Sequence, residues 1–329
     1  MRYDLPRAAA GPLNATVAAA CFLYALTAAV AAPPNDARVF SIVPQPTAGK
    51  TLRYYTVNGL TLTYRAKDDS GKEASFTSRV ALSITLRYKV LDVAPDGKAR
   101  ISVVSEGGKA RTDTSDETLA PEKDDYPRVV QVDHYNRILG INDEGAASQG
   151  KDSGSGQGAV GDIFSQTNLL IQTHLLPMPD HPVKIGDSWT AHYPLPATQK
   201  LRKGGDDVVA TMTLVGVEML GTQETLKVKQ VFTIPADVDI DARGDAVTGE
   251  HTAAGHVGVR MTYTIEANIS PADGKLIISA GGVKGTVKFS GAYAKQMPSD
   301  SLEIGGSITV SELPEGVATT GTGNVGATH

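Results

Sequence analysis

Hydrophobic residues recur at every second position over most of this chain. In "ALSITLRYKV", Leu82, Ile84, Leu86, Tyr88 and Val90 fall on one side, and Ser83, Thr85, Arg87 and Lys89 on the other. That is the pattern of a half-buried antiparallel strand. "VRMTYTIEANI" repeats it, with Val259, Met261, Tyr263, Ile265, Ala267 and Ile269 opposing Arg260, Thr262, Thr264, Glu266 and Asn268. "LTLTYRA", "ARISVVS", "YPRVVQVDH", "ATMTLVGVEML", "ETLKVKQVFTI", "KLIISAGG", "GTVKFSG" and "GSITVSEL" are further candidate strands. "APDGKAR" and "SPADGKL" place Asp-Gly between alternating runs, which signals hairpins. The pattern predicts a mainly β protein of long antiparallel meander sheets, curved or half-barrel-like.

The alternation breaks once. "GDIFSQTNLLIQTHLLP" groups Phe164, Ile171 and Leu175 on one helical face beside Ile163 and Leu170, with Asp162 placed as a cap and Pro177 as a stop. This predicts one central helix over 162–176. It separates two runs of strands of similar plan, 32–145 and, with the helix, 162–312. The sequence admits them as two modules or as one large curved sheet. Residues 146–161, rich in Gly and Ser, read as a flexible linker, and 313–329 as a disordered tail.

The N-terminus changes the picture of where the protein works. Arg2 and Arg7 precede a weakly apolar stretch that closes on Ala29-Val30-Ala31, the order of a secretory signal peptide over 1–31 with cleavage before Ala32. Its uninterrupted apolar part is shorter than the ~20 residues a membrane span needs, so no membrane span is expected after processing. Ala18-Ala19-Ala20-Cys21 loosely resembles a lipobox, but "FLYAL" follows the cysteine, where a lipobox would already have closed. Cys21 is the chain's single cysteine, so the processed protein is expected to have neither disulfide nor thiol chemistry. A periplasmic or secreted location follows. Without Arg2, Arg7 and Asp4 the balance is 29 basic to 35 acidic residues. With no long basic run, nucleic acid is not an expected partner.

Several motifs match chemistry by letters and fail on context. "KIGDSW" contains the Gly-Asp-Ser of one esterase family, but Trp189 stands where leucine is expected, the motif lies past mid-chain, and no Asp-x-x-His supplies a base for Ser188. The better reading is a turn at Gly186-Asp187, followed by a strand that carries Trp189 into the core. "AGKT" at 48–51 ends like a phosphate loop but runs into the β-rich "LRYYTV". The glycine triplets 156/158/161 and 321/323/326 match the dinucleotide pattern without a preceding strand. "DVDIDARGD" offers Asp237, Asp239, Asp241 and Asp245, yet an EF-hand loop would need Gly at Ala242 and Glu at Thr248. Glu250, His251 and His256 have no ordered element evident to hold them together. No catalytic residue, metal site or cofactor is assigned.

"LLPMPDHPVKIGDSW", set between a helix and a second group of strands, resembles a family of uncharacterised bacterial secreted β-rich proteins. These are marked by a Pro-x-x-Pro-Val-x-x-Gly-Asp-Ser-Trp signature, here Pro179, Pro182, Val183, Gly186, Asp187, Ser188 and Trp189. That family has no established activity, so the resemblance implies an architecture and no site. At the level of shape the chain is also similar to periplasmic lipoprotein carriers, in which a curved half-barrel covers an apolar cavity with a helix. The expectation is a non-enzymatic envelope protein that binds an apolar ligand or lipid, or a lipidated envelope partner. The ligand would lie between the sheet and the helix, at Ile163, Phe164, Leu170, Ile171 and Leu175. The alternative is a structural or protein-interaction β module. A serine hydrolase using Ser188 ranks last.

Overall fold

The computed structural model describes residues 37–67, 71–121, 127–142, 171, 173–194, 207–240, 243–244, 251–297 and 299–314. Strands form where the sequence alternates. The first run holds β1 (Thr51–Lys67), β2 (Glu73–Val93), β3 (Ala99–Thr112), β4 (Asp116–Leu119), β5 (Arg128–Val132) and β6 (Ile138–Asn142). The second holds β7 (Ser188–Pro194), β8 (Asp207–Leu220), β9 (Gln223–Ile240), the short β10 (Arg243–Gly244) and β11 (His251–Thr252), then β12 (Gly255–Ile269), β13 (Leu276–Gly291) and β14 (Ser301–Glu312). "KLIISAGG" and "GTVKFSG", separate candidates by pattern, are one strand, because the β12–β13 ladder runs on through Gly281, Gly282 and Gly285.

Both Asp-Gly turns are hairpins. Gly97, at φ 81°, turns β2 into β3, with Ala94 N–H donating to Lys98 O at 2.8 Å. Gly274, at φ 66°, turns β12 into β13. The β5–β6 turn uses Asn136 at φ 64°, and Asp133 Oδ1 accepts the N–H groups of Tyr135 and Arg137 at 2.9 Å each. A short carboxylate that satisfies turn amides is why Asp opens such turns.

The principal sheet has twelve strands, and with β4 set aside they follow the order β6-β5-β3-β2-β1-β14-β13-β12-β9-β8-β7. Every pair along that path is antiparallel. The two runs therefore do not form two sheets. They join edge to edge through β1 and β14, from Tyr54 opposite Glu312 to Tyr64 opposite Leu302, and the expectation of two similar halves gains no support. The ends of the path, β6 and β7, come within 8 Å of each other at Cα, so the sheet is nearly barrel-shaped. A path of eleven antiparallel strands puts its two end strands in the same direction, so antiparallel hydrogen bonding cannot close it.

The single central helix is likewise not supported. Of 162–176, the residues 162–170 and 172 lie outside the described ones, and helical backbone is seen at Ile171, Thr173 and His174 before a bend at Leu175. The linker 146–161 and all of the expected tail beyond Pro314 are also outside the described residues.

Alternation becomes inside and outside. The register sets Tyr54, Leu86, Val103, Val130, Ala191, Met212, Val228, Ile265, Val283 and Val310 on one face, where they are buried in one continuous core. Arg53 on the opposite face ties β1 to β3 through Glu106, with Nη2 to Oε2 at 2.6 Å, and Arg87 of β2 approaches the same carboxylate at 3.4 Å.

Some inward positions must be glycine. A Cβ on Gly285 would strike the backbone carbonyl of Arg260 on β12, whereas one on Gly305, facing out on β14, would meet nothing. Gly285→Ala should therefore cost about 1–3 kcal/mol by overpacking. Gly305→Ala should be neutral or stabilise by up to about 1 kcal/mol through the unfolded chain. Denaturant melts of the two variants check the contrast.

Candidate functional site

The interior of the barrel is graded from foot to mouth. At the foot, the strand ends and the 171–183 segment form a packed floor. Ile171, Leu175, Leu176 and Met178 are buried, and Asn136 Nδ2 donates to Leu176 O at 3.1 Å while Met178 N–H donates to Tyr135 O at 2.7 Å. Ile42 is buried beside them, and Phe40 and Val183 exchange backbone hydrogen bonds at 2.7 and 2.9 Å.

Pro179, Val183 and Trp189 add to this floor, and the turn between them holds it to β8. Gly186, at φ 96°, and Asp187 form the expected turn: Asp187 N–H donates to Lys184 O at 3.0 Å, and its Oδ2 accepts Lys184 N–H at 3.0 Å. Gly186 N–H and Asp187 O then bond to Leu214 on β8 at 2.8 and 3.0 Å. Trp189 is buried, with Nε1–H donating to Pro177 O at 2.9 Å. Pro179 and Val183 are buried and Pro182 is exposed. Ser188 faces outward, and its hydroxyl shares a 2.8 Å hydrogen bond with Thr213.

Above the floor sits a buried polar hub. His174 Nδ1 is 2.6 Å from the Tyr88 hydroxyl and Nε2 is 2.8 Å from Thr56 Oγ1. The Tyr54 ring lies 5.1 Å from the imidazole, and its hydroxyl donates to Leu276 O at 3.3 Å. Burial lowers the His174 pKa to about 3 and pushes both tyrosine hydroxyls far up, so all three are neutral at pH 7. A neutral imidazole donates through one nitrogen and accepts through the other, and the two hydroxyls suit either tautomer.

Beside the hub a cavity of about 90 Å³ opens between Leu175, Val90 and Ile101, with Asp133, Lys50 and Asp273 at its rim. Lys50 and Asp273 approach to 3.9 Å, and Lys275 pairs with Glu312 at 3.0 Å. The space suits a few waters or a small group, not a lipid chain.

Towards the mouth the inner face stays buried on β9, β12 and β13, through Ile234, Met261, Val259 and Phe289, and loosens on β1, β2 and the start of β14. Across the register run Val283, Gly306, Leu60 and Val80, then Ile304 and Leu62, then Val287, Leu302, Tyr64 and Phe76. Val283 and Val287 are buried, Leu62, Tyr64, Val80 and Leu302 half-buried, and Phe76 is 38% exposed. Tyr64 and Phe76 stack with ring centroids 5.4 Å apart.

Of the residues expected to meet a ligand, Ile171 and Leu175 are in the interior, packed into the floor. Ile163, Phe164 and Leu170 lie outside the described residues. Among the acidic candidates, Asp237 and Asp239 fall in β9 opposite Gly258 and His256, while Asp241, Asp245 and Glu250 lie outside the described residues. The pattern set Tyr88 on the apolar side of its strand and did not single out Tyr54, Thr56, Asn58, His174, Tyr193 or Gln230. Asn58 and Gln230 carried a usable signal, a polar residue in an inward slot of an alternating strand. His174 carried none, because its partners come from distant strands. Comparison with protein-family models and with curated proteins finds no match to this chain.

Two predictions follow from the floor and the hub. Trp189→Ala should cost about 3–5 kcal/mol and Ser188→Ala well under 1 kcal/mol, read by thermal melts. For His174, the unfolded chain protonates near pH 6.5 and the folded one near 3. Its contribution is therefore complete above about pH 6.5 and falls by about 1.4 kcal/mol for each pH unit below it, until the folded pKa is reached. Stability measured from pH 7.5 to 5 should decline in the unmodified protein, and His174→Gln should remove that part of the slope.

Proposed function

We propose that this is a non-enzymatic protein of the cell envelope, outside the cytoplasm, that holds an apolar ligand in the mouth of its barrel. The observation that carries the reading is the burial gradient along the inner face of β1, β2 and β14. The floor is packed to near-complete burial, while Leu62, Tyr64, Phe76, Val80 and Leu302, on the same inner face, stay partly accessible. Apolar residues hold most inward slots here, with Ser78 opposite Leu62 and Thr112 opposite Val80 as polar exceptions, although water reaches them. Partly wet apolar side chains inside a concave sheet favour an apolar occupant, by roughly 25 cal/mol for each Å² withdrawn from water.

The polar groups support the same reading. The His174 imidazole is engaged at both nitrogens by Tyr88 and Thr56, and the Ser188 hydroxyl by Thr213. Nucleophile and base are thus held in separate structural bonds, an arrangement for stability more than for acyl transfer. The signature resemblance and the secretory N-terminus fit an envelope protein in this role.

An apolar fluorophore such as 1-N-phenylnaphthylamine should bind the protein with a blue-shifted, saturable emission. Leu62→Lys, which sets a charge among the mouth residues, should weaken binding at least tenfold while the melting temperature moves by only a few degrees. Equal binding by the two proteins, or none by either, would remove the mouth as the ligand site.

A further inference from the structure

The register exposes a feature beneath the apolar mouth. One row across the inner face reads Trp189, Met212, Gln230, Ile265, Gly281, Ile308, Asn58, Leu82 and Ala110, and the row below it includes Val228, Ala267, Ser279, Val310, Thr56 and Ile84. Gln230, Asn58, Ser279 and Thr56 thus form a belt of neutral polar side chains on two adjacent rows of the inner face, each at most 2% exposed. Every position named on the two rows is uncharged. Gln230 stands between Val228 and Phe232 along β9 on this face, and its amide meets the buried Tyr193 hydroxyl.

Gln230 is also incompletely satisfied. Its Nε2 bonds to the Tyr193 hydroxyl, and Oε1 has no hydrogen-bond partner among the described residues, although the side chain is fully buried. The amide can be set either way round, and in both settings one end is joined to Tyr193 and the other is left over. A buried polar atom without a partner costs about 1–3 kcal/mol, a cost that a ligand bearing the complementary group would offset.

Resting on the apolar-ligand reading above, we propose that the belt is the head-group site of an amphiphile that enters head first. Gln230 and Asn58 hydrogen-bond an uncharged head, such as a hydroxyl, ester or amide, and the apolar tail lies along Leu60, Leu62, Val80 and Leu302. A carboxylate head is disfavoured, because the belt offers no cation to offset its desolvation. A pure hydrocarbon would leave the amide unpartnered.

The test is competition against bound 1-N-phenylnaphthylamine by dodecanol, dodecanoate and dodecane, using the full chain. The unmodified protein should prefer dodecanol to each of the others by about tenfold or more. Gln230→Met, of similar length and without hydrogen bonds, should bind dodecane as before and lose most of the preference for dodecanol. Asn58→Leu, on the same row, should act in the same direction, and it decides the matter if Gln230→Met does not fold. Equal displacement by all three competitors, or a preference that survives both substitutions, would overturn the belt while leaving the mouth as an apolar site. Failure of the fluorophore to bind would overturn the apolar-ligand reading and this proposal with it.

Discussion

The constraint on which the rest of this structure depends is the pairing of β1 with β14. That ladder converts two runs of meander, far apart in sequence, into one sheet with one interior, and it fixes which residues share that interior. Shifting it by one residue would turn Tyr54, Thr56, Asn58 and Leu60 outward together. The hub, the belt and the mouth all span this junction: Thr56 and Asn58 come from β1, Gln230 from β9 and Ser279 from β13. The odd number of strands on the path sets β6 and β7 in the same direction, and among the described residues no ladder joins them. The floor, through Asn136, Leu176, Pro177 and Trp189, joins those two ends below the gap.

Within that frame the interior divides by what each level can satisfy for itself. The floor satisfies its polar atoms through turns and backbone bonds, and the hub through His174, Tyr88 and Thr56. Higher up, the Gln230 amide bonds at one end only beneath buried Phe232 and Tyr263, and apolar side chains on β1, β2 and β14 are partly wet.

Much of the sheet was legible in the sequence because period-two alternation and Asp-Gly turns are local signals. The strands and the hairpins at Gly97 and Gly274 were readable in that way, as was the turn at Gly186-Asp187 leading into buried Trp189. Pairing order was not, since nothing local in "LTLTYRA" says that its neighbour is "GSITVSEL" at the far end of the chain. Nor could spacing reveal that Ile171 and Leu175 pack into a floor, because a buried helical face looks the same against a core as against a ligand. His174 escaped notice for a related reason: its chemistry comes from Tyr88 and Thr56, which only the folded sheet brings to it.

The central claim is that the barrel mouth exists to hold an apolar molecule. Its most direct test is mass spectrometry of the protein purified without detergent from its native cells, first intact and then after solvent extraction. The account predicts one copy of an amphiphile per chain, carried through purification and released on denaturation, with an uncharged head. A chain whose intact mass is that of the polypeptide alone, and whose extract contains no enriched lipid, would contradict it.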